Sequence, residues 1–241
     1  MSGHSHWSKI KHEKGAADIK KGQAFSKMAR LISIAAKDGG SDPEKNPKLR
    51  LAIEKSRSLN MPKDNVERAI KKGAGELNEV QLEEVLFEAY GPSNIAIMIE
   101  GITDNKNRTL SEIKKILSQN NGKLAGEGSV KWLFDRKGVI IIDAEKSSKS
   151  KEELELTAIE AGAEDLRWYN NSLGIFTKIE ELDKIKDKLA KKEVVIESIS
   201  LDWVAKELVE IPEKEKESSE KLFELLDEND SVQEIYSNLK D

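Results

Sequence analysis

Apolar side chains first fall into register at Phe25, Met28, Leu31, Ile32 and Ala35, three- and four-residue steps that predict an amphipathic helix. Lys20, Lys27, Arg30 and Lys37 fall largely on its other faces, and Gly39-Gly40 stops it. Asn46 can cap a second helix with Pro47 in its first turn, ahead of Leu49, Ala52 and Ile53. A third opens at Pro62, carries Val66, Ala69 and Ile70, and ends at Gly73 or Gly75. These three helices are expected to bury a small core. They leave Lys48, Arg50, Lys55, Arg57, Lys63, Arg68, Lys71 and Lys72 to solvent.

From about residue 80 the period changes. Val85-Leu86-Phe87 and Ile95 to Ile99 read as strands, separated by the turn signal Gly91-Pro92-Ser93-Asn94. A helix with Leu110, Ile113, Ile116 and Leu117 follows and closes at Asn120-Asn121-Gly122. Val130 to Phe134 and Val139 to Ile142 are the next strands, then a polar loop over 145–152. A helix around Leu154, Ala158 and Ala161 leads to a strand Gly174–Phe176. Leu182, Ile185 and Leu189 mark another helix, before a strand Val194–Ile199. Residues 210–241 hold 11 acidic and 4 basic side chains. Leu222, Leu225 and Leu226, then Val232, Ile235, Tyr236 and Leu239, read as two packed acidic helices. Helices alternating with strands in this way predict an α+β chain whose helices cover largely antiparallel sheets.

Charge sharpens this picture. Residues 1–75 hold 17 Lys/Arg against 8 Asp/Glu, net +9, and the rest of the 241 residues hold 23 against 37, net −14. A basic segment on an acidic protein reads as an electrostatic footprint for phosphate backbones, or else as a solvated helix face. The absence of cysteine excludes disulfides, thiolate nucleophiles and Cys-ligated metal, and points to a reducing cytoplasm. No run approaches the roughly 18 apolar residues a membrane helix needs, and the first residues lack a signal peptide's apolar stretch.

Candidate chemistry is sparse. The three histidines, His4, His6 and His12, lie in the first fifteen residues, MSGHSHWSKIKHEKG, which have no apolar period and read as a mobile arm. A general base needs a held position, which such an arm does not supply. A freed Ser2-Gly3-His4 terminus would chelate Cu(II) or Ni(II), as any X-X-His terminus does. Trp7, Lys9, Lys11, His12 and Lys14 better suit stacking and phosphate contact with a nucleic acid. The run from Gly122 to Ser129 lacks the spacing of a nucleotide-cradling loop. Thr103 to Thr109 can cap the helix after it, and with Asn105, Asn107 and Arg108 it is also a candidate phosphate or partner loop. Neither catalytic residues, nor a metal site, nor a cofactor, nor a small-molecule substrate is expected.

Several longer motifs carry a resemblance. Gly3-His4-Ser5-His6-Trp7, Gly40-Ser41-Asp42-Pro43 with Asn46-Pro47, Leu49-Arg50 and Ala52-Ile53, and Asn60-Met61-Pro62-Lys63-Asp64-Asn65 resemble the YebC family. Tyr90-Gly91-Pro92, Thr103 through Thr109, and Gly128-Ser129-Val130-Lys131-Trp132-Leu133-Phe134 with Lys137-Gly138 resemble it too, in the family's order. The resemblance implies a small N-terminal helical domain followed by two α+β sandwich domains, the third inserted in the second. It implies a DNA-binding transcriptional regulator of the PmpR type. Related members act in translation, among them a mitochondrial translational activator of cytochrome c oxidase and ribosome-associated forms that relieve stalling. The sequence departs from the family at His6, where a basic residue is usual, and at Ala89, Ser93 and Asn94, where glycines are usual. No presequence precedes Met1, so a bacterial cytoplasmic member is expected.

The resulting expectation has an arm over 1–15, a helical basic domain over 16–76, an α+β domain from 77–135 plus 204–241, and an inserted α+β domain over 136–203. The nucleic-acid contacts are Trp7, Lys9, Lys11, His12, Lys14, Lys20, Lys21, Lys27, Arg30, Arg50, Arg57 and Arg68. DNA is the first choice of partner and ribosomal or messenger RNA the second, with no membrane partner. A protein-interaction scaffold is the third reading.

Overall fold

The computed structural model describes residues 17–77 and 79–240, the first four as backbone only. They form two compact units: Trp132–Leu208, and the chain on either side of it, 17–131 with 209–240.

The larger unit begins with three helices, α1 (Ala17–Gly39), α2 (Pro47–Ser58) and α3 (Lys63–Gly73). Met28, Ile32, Ala35 and Ala36 of α1 meet Leu49, Met61, Val66 and Ala69 in a core of their own. Asn46 joins the helices: its Oδ1 accepts from Leu49 N (3.1 Å), capping α2, while its Nδ2 donates to Ala35 O and Gly40 O (2.7 and 2.8 Å). The α1–α3 crossing depends on Gly73, where a Cβ would stand 2.1 Å from Ser33 O. Ser33 Oγ donates to Ala69 O across the same contact (2.8 Å).

A four-stranded antiparallel sheet follows, built from β1 (Glu83–Tyr90), β2 (Ala96–Thr103), β3 (Lys123–Leu124) and β8 (Val232–Ser237), in the order β3-β1-β2-β8. Helices α4 (Lys106–Gln119) and α7 (Glu213–Asp227) cover one face, Ile113 and Leu117 joining Leu222, Phe223 and Leu226 over Val85, Phe87, Ile97 and Ile99.

In the smaller unit the strands β4 (Phe134–Asp143), β5 (Asp165–Tyr169), β6 (Ser172–Thr177) and β7 (Ile196–Ala205) form a second antiparallel sheet, in the order β5-β6-β4-β7. Helices α5 (Lys151–Ala161) and α6 (Leu182–Lys191) pack Leu154, Ala158, Ile185 and Leu189 onto Ile140, Ile142, Leu173 and Ile175. A capping box at Ser150 and Glu153 starts α5, and left-handed Gly162 ends it. The chain therefore has the α+β architecture its pattern predicts.

Two expectations are corrected, and one strand is added. The second C-terminal helix is a strand, β8. The register slips between Glu100↔Glu234 and Gly101↔Val232, so one extra residue bulges out there. Val232 and Ile235 consequently reach the same helix-covered face three residues apart, a spacing that imitates a helix. Val130 to Phe134 is not one strand: a short 3-10 turn spans Lys131–Leu133 and β4 begins at Phe134, running on through Lys137-Gly138. The cause is Glu88, only 5% exposed, whose carboxylate accepts from the backbone N–H groups of Gly128, Val130 and Lys131 (2.6, 2.7 and 2.9 Å) and curls the segment around itself. The added strand is β5: Asp165-Leu-Arg-Trp-Tyr169 has no clean alternation in sequence, and in the structure Asp165 is exposed while Leu166 to Tyr169 are half-buried rather than in and out.

Candidate nucleic-acid interface

The sequence-predicted contacts divide into three groups. Trp7, Lys9, Lys11, His12 and Lys14 lie outside the described residues, as does the Lys20 side chain, although its backbone belongs to α1.

A second group is exposed. Arg50 and Arg57 of α2 stand seven residues apart, two turns or about 10 Å along one side of the helix. Lys55 on α2 and Lys71 at the end of α3 are exposed as well. None of these four has an acidic partner among the described residues. Lys21 lies over the Phe25 ring, 5.8 Å from its centroid. Other cations of the region are paired. Lys48 meets Asp38 at 3.8 Å and Lys63 meets Glu67 at 3.5 Å, exposed pairs that contribute little to stability and yield readily to a phosphate. Arg68 and Lys72 both hold Glu79 at 2.9 Å, and the Arg68 and Lys72 hydrogen bonds keep that carboxyl below its ordinary range.

The third group faces inward. Lys27 Nζ reaches Asp227 Oδ1 at 2.6 Å and Asp227 O at 2.7 Å. Arg30 Nη1 donates to Ile102 O at 3.0 Å. These two cations were expected on phosphates; in the structure they tie α1 to the sheet and to α7. The signal was present in the sequence, since Gln23, Lys27, Arg30, Ile34 and Lys37 share one stripe of α1. Reading it needed the knowledge of what lay opposite.

The loop before α4 is a built cap. Asn105 Oδ1 accepts from Arg108 N (3.0 Å), and Thr103 Oγ1 accepts from Asn105 N (2.9 Å) and meets Thr109 Oγ1 (2.8 Å). Arg108 is held by Asp104 and faces Glu112 at 3.8 Å, and Asn107 O accepts from Ser111 Oγ. Burial opposes ionisation of Asp104, but the Arg108 hydrogen bond, a backbone N–H and the Arg108 and Arg30 charges together outweigh it and keep the carboxyl below its ordinary range. A carboxylate therefore already stands where this helix N-terminus favours negative charge. The hairpin turn between β1 and β2 keeps its shape without the usual glycines: Ser93 and Asn94 both take left-handed backbone, φ 53° and 58°.

Among the described residues no group of His, Asp and Glu could hold a metal ion, and no helix is long and apolar enough to cross a membrane.

Residues 5–76 match the model of the TACO1/YebC protein N-terminal domain, and residues 82–239 match that of the TACO1/YebC second and third domain. A "probable transcriptional regulatory protein" of Natranaerobius thermophilus is 44% identical over 239 residues, covering 99% of this chain and 96% of the relative. One of the same description from Dictyoglomus turgidum is 46% identical over 238 residues, 99% and 95% of the two chains. The crystal structure of a conserved hypothetical protein from Aquifex aeolicus superposes with a TM-score of 0.86 at 43% identity, covering 98% of this chain and 97% of that one.

Proposed function

This chain belongs to the TACO1/YebC family, and from that premise we propose that it is a non-enzymatic, cytoplasmic nucleic-acid-binding regulator with DNA as its first partner. One observation carries the reading. Arg50, Lys55, Arg57 and Lys71 are exposed on α2 and α3 without a carboxylate partner among the described residues, in a chain whose net charge is −5. An acidic protein has carboxylates to spare for its cations. Four left open on neighbouring helices suit phosphates, which would also draw the basic residues of the N-terminal arm. The names of the relatives, transcriptional regulatory proteins, agree with DNA as that polymer.

The test is a salt titration of duplex DNA binding. Four phosphate contacts contribute about −3.6 to the slope of log affinity against log salt. Changing Arg50, Lys55, Arg57 and Lys71 together to glutamine should flatten the slope by about that amount. A slope unaltered by the quadruple change would refute the assignment. The acidic balance of the remaining chain confines contact to one end, which also suits an RNA held on the ribosome. Co-sedimentation with ribosomes that survives nuclease treatment would select that reading over DNA.

A further inference from the structure

The stripe of α1 opposite its helical core contacts the α+β layer of the same unit at every position. Gln23, Lys27, Arg30, Ile34 and Lys37 follow one another at steps of four, three, four and three. Gln23 Nε2 donates to Glu228 O (3.1 Å), Lys27 to Asp227, Arg30 to Ile102 O, and Lys37 Nζ to Leu82 O (2.6 Å). Ile34 packs with Leu82 and Ile102, and this small cluster is the apolar part of the seam. The first two contacts fall on the end of α7, whose last carbonyls lack helical donors and whose dipole favours a cation. Cations on carbonyls and one carboxylate thus dominate the seam. A phosphate offers those same cations a charged acceptor, stronger than a carbonyl.

We propose that this stripe is a clasp which nucleic-acid phosphates open. They take Lys27 and Arg30 from Asp227 and the Ile102 carbonyl, and α1–α3 undock together from the α+β layer. The inference rests on reading the helices as nucleic-acid-binding. Their own core, Met28, Ile32, Leu49, Val66 and Ala69, lies on the other side of α1, so the three can move as one body. The acidic end of α7 is then an internal competitor for the polymer. Whatever fraction of the protein is clasped lowers the apparent affinity in proportion.

The chain has no cysteine, so Ser58→Cys on α2 and Lys221→Cys on α7, both exposed, place a dye pair across the seam without side reactions. Energy transfer between the dyes should fall when a short random duplex DNA, or single-stranded RNA of equal length, is added. Asp227→Asn leaves every cation in place; it should lower transfer before any nucleic acid is present and tighten binding about five-fold. Gln23→Ala removes only the Glu228 bond and should shift transfer the same way, by less. Binding with unchanged transfer, or Asp227→Asn binding no tighter than the parent, overturns the clasp while leaving the nucleic-acid reading intact. Absence of salt-dependent binding by every form overturns that reading and the clasp with it.

Discussion

Replacing Glu88 by glutamine should destabilise the larger unit by about 3 kcal/mol at neutral pH. One carboxylate oxygen holds Gly128 N at 2.6 Å, and the other holds Val130 N and Lys131 N at 2.7 and 2.9 Å. Glutamine has one acceptor. With its oxygen on the second site, two bonds survive without their charge, and the amide NH2 faces the N–H of Gly128. Losing one charge-assisted bond costs roughly 1.5–3 kcal/mol, and weakening the other two adds about 1 kcal/mol. Burial opposes ionisation of Glu88, but the three backbone N–H groups outweigh it, so its pKa lies below the ordinary 4.5. A depressed folded pKa means the contribution is complete above the unfolded value. It fades as pH falls through the folded one. Urea unfolding of the parent and the variant should therefore show the full gap at pH 7 and a shrinking gap below about pH 4.5, as the parent's own carboxyl becomes protonated. In thermal melts the neutral-pH gap corresponds to roughly 6–12 °C. A gap under about 1 kcal/mol at pH 7, or one that does not narrow in acid, would show that the clip is not held by charge.

Three further outcomes follow from the geometry. Asn46→Ala should cost about 2–3 kcal/mol, about one for the lost α2 cap and the rest for the two hydrogen bonds lost to the Ala35 and Gly40 carbonyls. Asn46→Asp should be no better in urea unfolding, because its carboxylate faces those carbonyls even though it can still cap; full rescue by Asp would leave the cap as Asn46's only role. Gly73→Ala gains about 1 kcal/mol of helix propensity, but the contact at Ser33 O costs about 3 kcal/mol, so a net loss near 2 kcal/mol should appear as a lower melting temperature. Ser93→Gly relieves a left-handed residue at about 1–2 kcal/mol and returns about 0.7 kcal/mol to the unfolded chain's entropy, so the variant should melt slightly higher; a lower melting temperature would mean the Ser93 side chain contributes more than its backbone costs.

The sequence by itself determined the elements whose signals are local. The caps and breakers at Asn46-Pro47, Pro62 and Gly39-Gly40 mark α1, α2 and α3, and the apolar run from Ile95 to Ile99 marks β2, because a helix start or a buried strand is written within a few neighbouring residues. Net charge is local information too: it singles out the first 75 residues, where Arg50, Arg57 and Lys71 stand exposed. What lay across space was decided only by the tertiary structure. A bulge opposite Gly101 gave β8 a three-residue apolar spacing, and so a strand wrote itself as a helix. Glu88, forty residues upstream, turned Gly128 to Lys131 away from the extended form their side chains suit. Lys27 and Arg30 look in sequence like any other cation on a basic helix, yet Asp227, two hundred residues away, and the Ile102 carbonyl hold them inward. A side chain's charge is local information; whether a phosphate or a carbonyl meets it depends on which distant segment the fold places opposite.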